Sequence, residues 1–264
     1  LSTASNTQAI DIIPSSRRGE GIGYFGLMSS LAMAMGPMAG LWLMDHYPFA
    51  LLFDVAVGSA AGGLALACLV RSPPKQRATQ SAVLSLDRFL LVRGIPLAVN
   101  LALIGLAYGM LLAFAALYGR QVGAQGTGLF FTLMAVGMMA SRAFSGRLLD
   151  AGHVVRVTNV GTLAIVLGLL TMVLLPGPLS FYLSGLVIGA GFGIVYPAYQ
   201  TMMVNMGSHA QRGTAVATYF TALDVGIGAG MVVAGVIAAR FGLPAAFAGG
   251  ALLVGGIATA AFMS

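Results

Sequence analysis

Eight apolar stretches, each long enough to cross a bilayer, follow one another along this chain and leave room for little else. A spanning helix needs about 20 consecutive, mostly apolar residues. Runs of that kind occupy 19–44, 47–70, 94–119, 125–147, 153–175, 179–205, 211–238 and 244–264. The short connectors "DHYP", "RQVGAQG", "PGP" and "RFGLP" carry the residues that turn a chain. Lipid offers no water to unpaired peptide groups, so runs of this length close their hydrogen bonds as helices. With 8% charged residues, where a soluble domain has about 25%, no water-facing surface could be covered. The expected class is an all-α polytopic membrane protein with the lipid bilayer as its solvent.

Charge places the connectors. Alternating sides along the eight runs puts eleven of the thirteen Lys and Arg on one side, with only Arg120 and Arg240 on the other. The excess marks the cytoplasmic side, so the long connector 71–93 and the C-terminus are expected there, in a plasma or inner membrane. The net charge of +6 therefore reports topology and implies no nucleic-acid partner. Cys68 is the only cysteine and cannot form an internal disulfide. His46, His153 and His209 fall at loops or helix ends, which leaves no expected metal site. No nucleophile–base pair, phosphate loop or pair of hydrolytic acids is present, so no enzyme is expected.

A shift of 194 residues sets Asn6-Thr7 over Gln200-Thr201, Arg18-Gly19 over Arg212-Gly213, Phe25 over Tyr219 and Gly36 over Gly230. The two copies cross in the same sense, as in transporters built from parallel repeats. Extending that register backwards predicts about a hundred residues before Leu1. The chain is accordingly expected to be a fragment, with residues 1–13 the end of a helix.

The stretch "GLMSSLAMAMGPMAGLWL" adds a motif: Gly23, Ala32, Gly36, Pro37 and Gly40 on the first complete run, after an Arg-Arg loop. It resembles the fifth-helix signature of the major facilitator superfamily, the antiporter motif, with Ala32 and Leu41 where that signature has glycine. Gly146 and Asp150 keep the spacing of a second family signature, with Ala151 at its basic position. The resemblance implies a major-facilitator-type helical bundle truncated at its N-terminus, holding the end of span 4 and spans 5–12. Residues 1–70 would be the remainder of the N-terminal bundle, 71–93 the central loop and 94–264 the C-terminal six-helix bundle. It also implies a drug:proton antiporter-like efflux permease, driven by a proton gradient with no other cofactor, and monomeric when full-length. Ala32, Gly36 and Gly40, four residues apart, would make a smooth face for close helix contact, with a bend at Pro37.

Asp224 follows Arg212 by twelve residues, about 18 Å along a helix, which places a carboxylate near mid-membrane. Such a residue is a functional candidate by default, here for proton coupling; a helix-packing role is the alternative. It lies opposite a ladder of small residues, Thr218, Ala222, Gly226, Gly230, Ala234 and Ala238. Arg18, Arg142, Gly146, Asp150 and Arg212 are candidates for a cytoplasmic gate network. The family lines its central pathway with helices 7 and 10, which nominates Asn100, Tyr108, Phe192, Tyr196, Tyr199, Gln200 and Met203. Aromatic and Met walls suit an amphipathic or cationic small molecule. The expected function is proton-coupled export of such compounds by alternating access. A proton-coupled metabolite importer on the same fold, or a non-transporting sensor or partner subunit, are the alternatives.

Overall fold

The computed structural model describes residues 13–14, 17–69, 90–208 and 211–262. The expected helix end at 1–12, Asp11 and most of the 71–93 connector lie outside the described residues. So do the side chains of Arg18, Pro37 and Asp150, and the surroundings of Gly23.

Every expected run that is described forms a helix within a few residues of its sequence bounds: α1 (Arg18–His46), α2 (Phe49–Leu69), α3 (Ile95–Gln121), α4 (Gly128–Asp150), α5 (Val154–Leu174), α6 (Pro178–Met206), α7 (Arg212–Phe241) and α8 (Leu243–Phe262). A single 3-10 turn, Val92–Gly94, leads into α3. No strand occurs among the described residues. Six of these helices, α2 to α7, are long and apolar enough to cross a membrane. The chain is a multi-pass membrane protein.

The ends follow from local chemistry. Pro178 opens α6, where its missing N–H costs nothing. Gly242 alone separates α7 from α8, with φ +84°, a conformation that a side chain disfavours. Pro197 sits inside α6 without ending it, as a neighbour-packed membrane helix allows. Helix α1 likewise runs unbroken through Gly36-Pro37.

Two helix pairs share one construction. Helix α3 packs on α7 and α4 on α6, and in each pair glycine lets one backbone rest on the other. The Cα atoms of Gly226 and Gly230 face the carbonyls of Ala102 and Leu106, and Gly109 faces that of Ile227. In the second pair Gly189 meets the carbonyl of Met134 and Gly137 that of Leu186. Within lipid there is no hydrophobic drive between helices, so such close van der Waals packing is what holds them. The small ladder expected on α7 is this contact: Thr218, Gly226, Gly230 and Ala234 are all buried.

Helix α5 packs on α6, and α8 closes against α5, α3 and α7. Tyr118 of α3 donates to the Met172 carbonyl of α5 at 2.8 Å, and Phe130 stacks on Phe181 with ring centroids 4.7 Å apart. Helix α1 lies along α4 and α6, while α2 has no buried residue. Helix α1 thus attaches to the bundle of α3–α8.

Candidate functional site

Five helices meet around a buried aromatic cluster. Tyr108 of α3 stands edge-on to Phe192 of α6 at 5.1 Å and to Tyr196 at 6.0 Å, and Phe192 stacks on Tyr196 at 5.2 Å. The i, i+4 spacing on α6 puts the last two on one face. Tyr219 of α7 joins by donating its hydroxyl to the Tyr196 carbonyl at 3.3 Å. Tyr199 and Met203 continue the face below, both buried, with the Met203 sulfur packed over Gly94. Gln200 is also buried, and Asn100 is half-buried on α3.

Arg142 of α4 enters the same cluster. It is 8% exposed and close enough to Tyr196 and Tyr219 for its charge to act on their hydroxyls. Its Nη1 lies over Gly26 of α1, where a methyl group would overlap it. The fold brings Arg142, a candidate for the gate network, to the aromatic wall. The hydroxyls of Tyr108, Tyr196 and Ser145 and the Nε of Arg142 are buried with no hydrogen-bond partner. Buried polar atoms are nearly always paired, so this concentration of orphans marks the spot.

The basic end of the bundle holds a second polar arrangement. Arg17 donates its Nε to Glu20 Oε2 at 2.8 Å, and Arg147 Nε lies 3.6 Å from Glu20 Oε1. Glu20 thus ties the start of α1 to the last turn of α4. The hydrogen bond from Arg17, helped by the charges of Arg17 and Arg147, holds the Glu20 carboxyl below its ordinary value. A depressed carboxyl stabilises the folded link above its unfolded pKa and loses that contribution as pH falls through the folded one. Lowering the pH from about 6 to about 3 should therefore loosen α1 from α4 in the native protein. In Glu20→Gln the spacing between spin labels on the two helix ends should be insensitive to the same change. An identical pH response in both proteins would remove Glu20 from this role. Arg212 and Gly146 are buried at the same end.

Other expected site residues are placed apart. Asp224 is exposed on α7, on the side turned away from α3. Ala32 and Gly36 of the α1 motif are exposed, and no described atom lies within 4 Å of a side chain built at Gly36. At Gly40, on the same expected contact face, a side chain would meet Leu52 of α2 at 3.8 Å. Helix α1 instead meets the bundle through Ile22, Gly26 and Met38, the last hydrogen-bonded by Thr132 at 2.7 Å. A cavity of about 480 Å³ opens between α4, α5 and α6, lined by Ser141, Ser145, His153 and Arg156 among apolar neighbours. It flanks the aromatic cluster without containing it.

Sequence reasoning did not single out Tyr219, Ser145, Gly26 or the Glu20–Arg147 pair as parts of one site. The only mark on Tyr219 is the aromatic residue, Phe25, that it matches in the shifted repeat.

Comparison with known proteins fits this arrangement. Two overlapping matches to the Major Facilitator Superfamily model cover residues 1–231 and 127–264. The chain is 27% identical over 258 residues to an uncharacterized MFS-type transporter of Escherichia coli (strain K12), YhhS, covering 96% of this chain and 61% of that protein. It is 26% identical over 226 residues to an uncharacterized MFS-type transporter of Burkholderia mallei (strain SAVP1), covering 86% and 54%. The chain thus spans between half and two-thirds of the length of these relatives. The crystal structure of the human organic anion transporter MFSD10 (TETRAN) superposes with a TM-score of 0.77 at 20% identity, over 97% of this chain and 66% of that one. An all-helical bundle with glycine-packed helix pairs, matched along its whole length by one family model, identifies the chain as a member of the Major Facilitator Superfamily.

Proposed function

We propose that the protein is a secondary active transporter that exports small amphipathic organic compounds against an inward flow of protons, by alternating access. One observation carries this reading: in a chain of this family, four helices of the bundle and α1 converge on one buried wall of aromatic rings and orphaned polar atoms. A pathway closed at one stage of a rocking cycle would look like this, apolar and tightly packed, with polar groups waiting for a ligand. The Glu20–Arg147 contact sits where such rocking would open and close the cytoplasmic side. Export rather than import follows from the antiporter-like motif on α1, and Asp224 is the carboxylate offered for proton coupling. The membrane would be the plasma or inner membrane, with the basic end cytoplasmic.

The test is reconstitution of the protein, expressed from its complete reading frame, into liposomes holding a pH-sensitive dye. A compound that it exports should discharge an imposed pH gradient, and the gradient should in turn drive that compound uphill. Uptake with protons moving alongside would establish an importer instead. Absence of any compound-linked proton movement across a broad amphipathic set would sink the coupled-transport reading.

A further inference from the structure

Among the described residues, Arg142 is a cation buried inside a membrane bundle with no carboxylate beside it. Glu20 pairs with Arg17 and Arg147, and among the described residues no carboxylate lies within ion-pair reach of Arg142. Asp45 and Asp54 lie at the opposite end of α1 and on α2, and Asp224 is exposed on α7.

Burying a charge this way is costly unless something pairs with it. A structural arginine would have its own acid. A binding arginine has a free edge instead, aimed where a ligand's charge will come. The Nε of Arg142 faces no acceptor, and the Tyr108, Tyr196 and Ser145 hydroxyls around the cluster are unpaired as well. These are donors, which an anion's lone pairs can satisfy together. Planar guanidinium nitrogens match the two oxygens of a carboxylate. The adjoining rings of Tyr108, Phe192 and Tyr196 give an apolar body a wall to lie on. The rings alone would tolerate a cation, which is why the sequence suggested one. A positive charge brought beside Arg142 would meet repulsion and no acid to offset it.

We propose that Arg142 anchors the anionic group of the cargo, so that the transported class is amphipathic organic anions, with the carboxylate on Arg142 and the tyrosine hydroxyls and the apolar part on the α3–α6 rings. The assignment rests on the transporter reading of this same cluster. Gly26 of α1 is a positioning residue. With Arg142 Nη1 where a methyl group would stand, Gly26→Ala moves the flexible end of the arginine rather than a backbone.

Two probes of matching shape decide the matter, 1-naphthaleneacetate and 1-naphthylmethylamine, titrated by thermal shift against the purified protein expressed from its complete reading frame. The carboxylate should raise Tm saturably and the amine should not. Arg142→Gln should weaken the carboxylate by at least about tenfold, with Arg142→Lys in between. Gly26→Ala should weaken it too while its ligand-free Tm stays near that of the native protein. If Arg142→Gln does not fold, the Arg142→Lys and Gly26→Ala pair gives the same reading. Equal shifts from both probes, undiminished carboxylate binding without Arg142, or no shift from either probe would each overturn the assignment. Liposome flux separates the two claims. Carboxylate binding through Arg142 without movement across the bilayer leaves the anion site standing and removes the transporter. Transport of the amine, unchanged in Arg142→Gln, does the reverse.

Discussion

Gly189→Val should destabilise the bundle more than any other single substitution considered, lowering Tm by several degrees or preventing accumulation in the membrane. A side chain at Gly189 would run into the backbone of Met134, its carbonyl first and then its Cα and carbonyl carbon. Backbone cannot swing aside as a side-chain tip can, so α4 and α6 must separate along their whole contact. Overpacking of a tight core costs typically about 1–3 kcal/mol and sometimes more, and each kcal/mol moves Tm by roughly 2–4 °C in a chain of this size. The contrast is Gly36→Ala, at the glycine that the sequence motif singles out. No described atom lies within 4 Å of a side chain built there, so its stability should stay within about 0.5 kcal/mol of the native value. Thermal unfolding of both variants in one detergent checks the pair. Equal losses at the two positions would mean that the α4–α6 contact is not the tight one.

The second large effect is on coupling. Asp224→Asn should abolish proton-driven accumulation, by at least about tenfold or 1.4 kcal/mol of driving interaction, while leaving substrate exchange without a gradient intact. The reasoning is energetic. A carboxylate near the middle of a spanning helix costs about 2.5–3.5 kcal/mol to insert if it faces lipid. Asp224 is exposed on α7, away from α3, with no described partner to offset that cost. The expense is explained if this carboxyl takes up and releases a proton during the cycle. The liposome assay with an imposed pH gradient, run beside counterflow of the same compound, separates the two activities. Native accumulation in Asp224→Asn, with a raised Tm, would show a lipid-facing carboxylate that plays no part in coupling.

These two positions also show how far the sequence reaches. The number of helices, their bounds and the all-helical class were legible because they depend on composition summed over about 20 residues and on Gly and Pro between the runs, though six of the eight are long and apolar enough to span. The small ladder on α7 was legible too, since helical periodicity puts Thr218, Gly226, Gly230 and Ala234 on one side and Asp224 on the other without reference to any neighbour. The likeness to the Major Facilitator Superfamily rested on α1 residues in fixed local spacing, and the family match over residues 1–231 runs through that region.

Which helix meets which face is a different kind of information. Nothing local distinguishes Gly189, pressed on the Met134 carbonyl, from Gly36, which no described atom approaches. Both are glycines in apolar helices, and only the partner across the gap separates them. Arg142 likewise read as a member of a charged end, because its sequence neighbours Arg147 and Asp150 are charged. The tertiary structure decided that its side chain turns inward, to tyrosines that stand 54 and 77 positions away in sequence at Tyr196 and Tyr219. It decided as well that Glu20 answers Arg147 across two helices. The sequence by itself determined the helices and the solvent they require. Their pairing, and with it the burial of Arg142 among tyrosines, came from contacts between residues far apart in the chain, which no local pattern encodes.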